Sequence, residues 1–240
     1  MSLVGDAQAL LDATPDLRGV LLLAPFADFA QLAGSVLGGV TGNAALGQKV
    51  TEIYAGQTPL QEMSLYDITE TARRNFEPGG AAATVLFARG AQAIMAHRVA
   101  HQLWTQGDRT MALAVKSICG RALGTDIHPA AQIAGGLWLD HGLGFVAGET
   151  CVIEEDVSIW HNVTLGSTLR DDGPCRHPRI GRGAVIGAGA TVLGGITVGA
   201  GANVAAGAIV TQDVPAQRLV AGAKSQTLGP ARVAFAPPEG

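Results

Sequence analysis

Asp140 and His141, side by side, form the sharpest chemical feature of the sequence. A free imidazole, with a pKa near ~6.5, is mostly neutral at pH 7 and can take a proton from a hydroxyl. Asp126 lies fifteen residues earlier. In a chain that coils with a turn of about eighteen residues, that spacing brings the Asp126 carboxylate about one rung from His141. There it can accept the ring N–H and orient the base. A solvated histidine at a corner of the chain fits the same spacing.

The other reactive side chains are less organised. His97 and His101 stand four apart on an expected helix, a spacing that suits a metal, but no third ligand accompanies them and a plain helix face is preferred. Three converging imidazoles, as a zinc hydratase needs, do not assemble from His128, His141, His161 and His177, so no metal is expected. Cys119, Cys151 and Cys175 have unrelated spacings, with neither a zinc nor a disulfide pattern. A reducing, cytoplasmic setting suits them.

The elements that must position these groups follow from a period of six. Every sixth residue from Ile127 is apolar: Ile127, Ile133, Leu139, Phe145, Cys151, Val157 and Val163. The count resumes at Ile180 with Ile186, Val192, Val198, Val204 and Val210. Small residues recur four positions after the anchor at Ala131, Ala184, Ala190, Ala202 and Ala208, and glycines mark the corners. Each hexapeptide reads as one short strand and one corner, three to a triangular turn. The register breaks between Val163 and Ile180, so residues 167–179, with Asp171, Asp172, Arg176 and His177, are expected to leave the prism as a loop. Loops on rigid scaffolds often carry function. The pattern stops at Asp213-Val214-Pro215.

Residues 1–122 read as helices. Thr58 is expected to cap one that runs to Arg74, with Pro59 in its first turn and Gln61 completing a capping box. Phe87 to Trp104 and Met111 to Ala122 read as two more. The expected organisation is therefore a helical domain over 1–122, a β-solenoid over 123–215 with one extruded loop, and a C-terminal tail over 216–240.

Composition bounds the partners. The chain has 240 residues, 48% hydrophobic and 15% charged, with net charge −4. That excludes a disordered tail protein and gives no nucleic-acid surface, since three lysines and thirteen scattered arginines form no patch. Aromatics are only 5% against 33 glycines, as expected of a core built from stacked aliphatic residues. The apolar stretch Gly19 to Val40 is broken by Pro25, Asp28 and Gln31, so buried helices and no membrane span are expected. Met1-Ser2-Leu3 leads straight to Asp6 without a signal peptide.

Several motifs together resemble the serine O-acetyltransferase family of hexapeptide acyltransferases. They are Asp126-Ile127-His128-Pro129-Ala130, Leu139-Asp140-His141-Gly142-Leu143-Gly144, Val146-Ala147-Gly148-Glu149-Thr150, Val163-Thr164-Leu165-Gly166 and Arg176-His177-Pro178, with Gly90-Ala91-Gln92-Ala93 and Ala96 to His101 in the helical part. The resemblance covers about residues 67–215. It implies an N-terminal helical domain followed by a left-handed parallel β-helix. The implied reaction is direct transfer of acetyl from acetyl-CoA to L-serine, in cysteine biosynthesis. His141 is implied as general base and Asp126 as its orienting partner. Asp140 would bind the amino acid, Arg176 and His177 its carboxylate, and Glu149 would support the histidine. Gly166, Ala188, Gly189 and Ala206 would line the path of the CoA arm. Family sites lie between the subunits of a homotrimer or a dimer of trimers.

Three departures stand out. Asn75 occupies the place of the family's helical-domain acid, with Glu77 close by. Cys175 stands where an aspartate is usual. The end Pro237-Pro238-Glu239-Gly240 lacks the isoleucine tail that docks to the cysteine-forming sulfhydrylase, which leaves that complex doubtful. The alternatives are an acyltransferase on another small amino-acid-like acceptor, or a non-catalytic hexapeptide scaffold.

Overall fold

In this computed structural model, residues 2–168 and 173–223 are described. Asp171, Asp172 and the end of the expected tail lie outside them. Eight helices come first: α1 (Leu3–Asp12), α2 (Leu17–Val20), α3 (Phe29–Thr41), α4 (Ala44–Ala55), α5 (Thr58–Arg74), α6 (Gly80–Phe87), α7 (Arg89–Thr105) and α8 (Arg109–Leu123). Side-chain caps start several of them. Asp28 accepts from the Gln31 amide, Asn43 from Leu46 and Asp108 from Met111. The apolar stretch from Gly19 resolves into the end of α2, an irregular link and the buried α3. Among the described residues no helix is long and apolar enough to cross a membrane.

Two helix expectations need correction. Gln57, not Thr58, sits at the N-cap of α5, and the Gln61 side chain donates 2.8 Å to the Tyr54 carbonyl, so no capping box forms. The stretch Phe87 to Trp104 is not one helix, because Ala88 is extended and separates α6 from α7. The first turn of α7 abuts the β-structure: a Cβ on Gly90 would overlap the Leu139 carbonyl oxygen.

From Asp126 the chain forms a left-handed parallel β-helix. Its first face holds β1 (Asp126–Ile127), β4 (Val146–Ala147), β7 (Thr164–Gly166), β10 (Thr191–Leu193) and β13 (Ile209–Val210). The second holds β2 (Gln132–Ile133), β5 (Val152–Ile153), β8 (Arg179–Ile180) and β11 (Thr197–Val198). The third holds β3 (Trp138–Leu139), β6 (Ser158–Ile159), β9 (Val185–Ile186), β12 (Asn203–Val204) and β14 (Leu219–Val220). The coil therefore runs past the expected limit at 215: Val214 bridges Val198, and β14 pairs with β12.

The register differs from an unbroken six. Asp126 pairs with Val146, so the first coil takes twenty residues; Val146 pairs with Thr164, so the second takes eighteen. Two extra residues enter between Leu139 and Ala147, at the corner that carries His141. Beyond it the inward strand residues are Ala147, Ile153, Ile159 and Leu165, all buried. The expected anchors Phe145, Cys151, Val157 and Val163 are also buried, but they occupy corners two residues earlier.

The two domains meet through Asp67 of α5 and Arg98 of α7, both nearly inaccessible. Arg98 Nε lies 3.0 Å from Asp67 Oδ2, and its other nitrogens donate to the Ile133 and Ala134 carbonyls. Asp67 Oδ1 accepts from the amides of Gly136, at 2.8 Å, and Leu137. Burial pushes the Asp67 carboxyl up, while Arg98 and the two amides oppose it. Replacing Arg98 with Met strands a buried carboxylate and should cost about 3–5 kcal/mol. The double change Arg98→Met with Asp67→Leu should cost clearly less than the sum of the single changes. Urea unfolding of the three variants measures this, and additive losses would deny the coupling.

Candidate active site

Each turn of the β-helix has three corners, and the reactive side chains gather on two of them. The corner from the third face to the first carries Asp140 and His141. The corner from the first face to the second carries His128, Glu149, Thr150, Arg176 and His177. Within one protomer these are separate edges of the prism.

At the first edge the inserted residues push the corner outward. His141 adopts φ +60°, Gly142 φ +73° and Gly144 φ +72°. Left-handed backbone suits glycine, whereas at His141 it costs roughly 1–2 kcal/mol. The imidazole is 68% exposed, with Nε2 3.4 Å from Asp140 Oδ2. It borders a cleft of about 330 Å³ whose polar lining includes Asn75, Glu77, Arg89, Asp140 and His141. Asn75 Nδ2 donates to Glu77 Oε2 at 2.5 Å. The link from α5 to α6 thus brings both residues to the His141 cleft from the helical side.

One rung on, His161 stacks its ring edge-to-face on His141 at 5.4 Å, and Trp160 meets Trp138 at 4.9 Å. Two further rungs of this edge hold Ala188 with Gly189, and then Ala206. The Gly189 amide donates to the His161 carbonyl and the Gly207 amide to the Ala188 carbonyl. A Cβ on Gly187 would lie 2.6 Å from the Ala206 nitrogen, so bare backbone lines this column. Gly166 closes β7 on the first face, away from it.

At the second edge Arg176 Nη2 lies 2.5 Å from Glu149 Oε2 and holds the Glu149 carboxyl below its usual range. Burial lowers His177, with Arg176 adding to the effect. His128 is lowered by burial and meets Trp104 edge-to-face at 5.1 Å. Cys175 is an exposed free thiol, and its carbonyl packs on Gly195.

Of the residues marked in the sequence, Asp140, His141 and Asn75 come together in one protomer, as do Glu149, Arg176 and His177. Asp126 does not join His141. Its carboxylate lies 2.5 Å from Lys116 Nζ of α8. Glu149 engages Arg176 and not His141. Arg89 and Trp138 were not marked, and His161 was weighed only as a metal ligand. His161 follows His141 by one coil of twenty residues, a signal hidden by the assumed eighteen. His97 and His101 sit with rings 5.7 Å apart. His101 Nδ1 lies 2.7 Å from the Pro129 carbonyl oxygen, while His97 is buried among α7, α8 and β1. Among the described residues no three His, Cys, Asp or Glu side chains are gathered to hold a metal.

Comparisons with known proteins place the chain among hexapeptide transferases. A family model described as bacterial transferase hexapeptide (six repeats) matches residues 177–212. The chain is 51% identical over 145 residues to serine acetyltransferase 4 of Arabidopsis thaliana, covering 60% of this chain and 41% of that one. It is 39% identical over 185 residues to the serine acetyltransferase of Escherichia coli, covering 77% of this chain and 67% of that one. The chain thus spans about two fifths of the plant relative and two thirds of the bacterial one. The solved structure of a Brucella abortus serine acetyltransferase in complex with coenzyme A superposes with TM-score 0.83 at 34% identity, over 95% of this chain and 94% of that one.

Burial holds His97 well below the ordinary histidine range. In the unfolded chain His97 takes a proton as pH falls through ~6.5, and in the folded chain it does not, so stability is lost on acidification. Between pH 7.5 and 5.5 the wild type should lose about 1 kcal/mol through this residue, and His97→Phe should abolish that part of the loss. Urea midpoints at the two pH values test it; an equal loss in both proteins contradicts it.

Proposed function

The chain belongs to the serine acetyltransferase family, and on that premise we propose that it transfers the acetyl group of acetyl-CoA to the hydroxyl of L-serine. His141 takes the hydroxyl proton. The freed oxygen pair attacks the thioester carbonyl, the C–S bond breaks, and the CoA thiolate recovers the proton from His141. O-acetylserine and CoA leave. The exposure of His141, with Asp140 near enough to stabilise its imidazolium, supports this part. Asp140 and Glu77, beside Asn75, suit the substrate ammonium. Arg176 and His177 hold its carboxylate, with Glu149 aligning Arg176. Asp126 keeps its proposed orienting role in the assembled enzyme, once its carboxylate leaves Lys116. The glycine- and alanine-lined edge through Ala188, Gly189 and Ala206 suits the arm of acetyl-CoA, with Gly166 nearby on the first face.

The single observation that carries the reading is the division of the site between two edges. A base without a carboxylate clamp, and a clamp without a base, make one site when the first edge of one protomer meets the second edge of a neighbour. A homotrimer does this three times, and a dimer of trimers through the helical domains is compatible with it. A cytoplasmic setting completes the proposal, since it keeps the thiols Cys119, Cys151 and Cys175 reduced.

A second acceptor class is favoured by one feature. Asn75 brings an amide where the family carries an acid, and the nearby carboxylate of Glu77 extends from a different backbone position. A longer hydroxy amino acid would match that shift.

Thiol release from acetyl-CoA, with L-serine, L-homoserine, L-threonine and no acceptor, with and without cysteine, tests the reading. Turnover on serine well above the others is expected, and preference for homoserine would give the second reading precedence. His141→Ala should lower kcat by roughly 10²–10⁴-fold with CoA affinity unchanged; retained turnover removes His141 from the base role.

A further inference from the structure

Thr150 sits at the second edge, two residues before β5, and makes three polar contacts with His177. Its backbone amide donates to His177 Nδ1 at 3.2 Å. Its hydroxyl oxygen lies 2.9 Å from the same nitrogen, and that oxygen accepts the His177 backbone N–H at 3.0 Å. A backbone amide hydrogen cannot rotate away, so this 3.2 Å contact favours the tautomer whose Nδ1 presents its lone pair, and the closer hydroxyl makes that preference complete. The hydroxyl, already accepting from the His177 amide, sends its own proton to the same nitrogen. The proton of the neutral ring is left on Nε2. The ring itself rests on the rung below: a Cβ on Gly148 would overlap Nε2 and Cδ2. The charged or titratable neighbours are Arg176, Glu149 and His128.

We propose that Thr150 is a positioning residue that holds His177 in its Nε2–H tautomer, so that His177 serves as a fixed hydrogen-bond donor to the acceptor carboxylate and not as a second base. The proposal rests on the reading of His177 as an acceptor contact. It assigns the threonine that follows Glu149 two jobs. It selects the tautomer, and it pins the chain returning from the extruded loop to the scaffold through the His177 backbone amide. A second base at this edge would need a free ring lone pair facing the substrate. The lone pair is instead turned inward onto Thr150.

Nitrogen-15 NMR of histidine-labelled protein at pH 7.5 reads the tautomer directly, with His177 assigned by signal loss in His177→Asn. A lone-pair Nδ1 and a protonated Nε2 are expected in the wild type. Thr150→Val should add a second set of ring signals from the Nδ1–H form. It should also raise KM for the amino-acid acceptor about tenfold, the scale of one lost hydrogen bond, with KM for acetyl-CoA within about twofold. Thr150→Ser should restore both readouts. An Nδ1–H ring in the wild type overturns the proposal, as does a folded Thr150→Val protein with wild-type ring signals and acceptor KM. If no hydroxy amino acid is acetylated, the functional reading fails, and the ring signals of wild type and Thr150→Val alone decide the role of Thr150.

Discussion

The Asp67–Arg98 pair is the interaction on which the geometry of the cleft depends. Two charges in so dry a place cost several kcal/mol each unless every lone pair and proton is matched. Here they are matched by the β-helix itself: Arg98 donates to two carbonyls and Asp67 accepts from two amides around the corner between β2 and β3. Hydrophobic packing alone allows α5 and α7 to slide over the prism. An ion pair whose remaining valences are filled by named backbone groups does not. The next strand after that corner ends at Leu139, where α7 begins on Gly90 and the chain turns into Asp140 and His141. The clasp thereby sets how closely Asn75 and Glu77, at the far end of α5, approach His141.

Arg74 reinforces the same placement one coil further on. It donates to the Asp156 and Val157 carbonyls and to Ser158 Oγ, and Tyr66 donates to Asp156 Oδ1 at 2.6 Å. Helix α5 is thus tied to the corners that precede β3 and β6, and its C-terminus ends at the cleft. The strain at His141 is tolerable because the corner around it is held: the Gly144 amide donates to Gly124, and Gly142 packs on Gly90. A projecting corner on the coil leaves His141 exposed while its neighbours are hydrogen-bonded and packed.

The periodicity made the β-helix legible, and the same periodicity concealed its most useful irregularity. Each hexapeptide buries two columns of residues, one in the strand and one in the corner two residues before the next strand. An insertion of two residues moves the count from the first column onto the second. Phe145, Cys151, Val157 and Val163 are therefore apolar and buried although they are not strand centres. A test for buried positions sees no break, and the longer coil that stacks His161 on His141 goes unnoticed. The Asp140-His141 and Arg176-His177 motifs stood out in the sequence because their residue types are unusual for corners. The partner of Asp126 was not, since Lys116 lies on a helix whose docking against β1 has no trace in a six-residue count. Arg89 and Trp138 were missed for the same reason: they reach the cleft through packing between domains.

The two histidines proposed to face the substrate are set apart by their surroundings and not by their chemistry. His141 stands on an extruded corner, with most of its ring in solvent and one carboxylate nearby. His177 lies flat on Gly148 with one nitrogen saturated by Thr150, so its proton is confined to the other. General-base catalysis needs the first environment and carboxylate recognition the second. The proposed trimer would bring the exposed edge of one protomer against the locked edge of the next. The proposed three-fold assembly would then do more than complete a list of contacts, because it would set the exposed imidazole opposite one that can only donate. The direction of proton transfer would follow from the architecture, with the acceptor hydroxyl turned to His141 because its carboxylate is held on the other side.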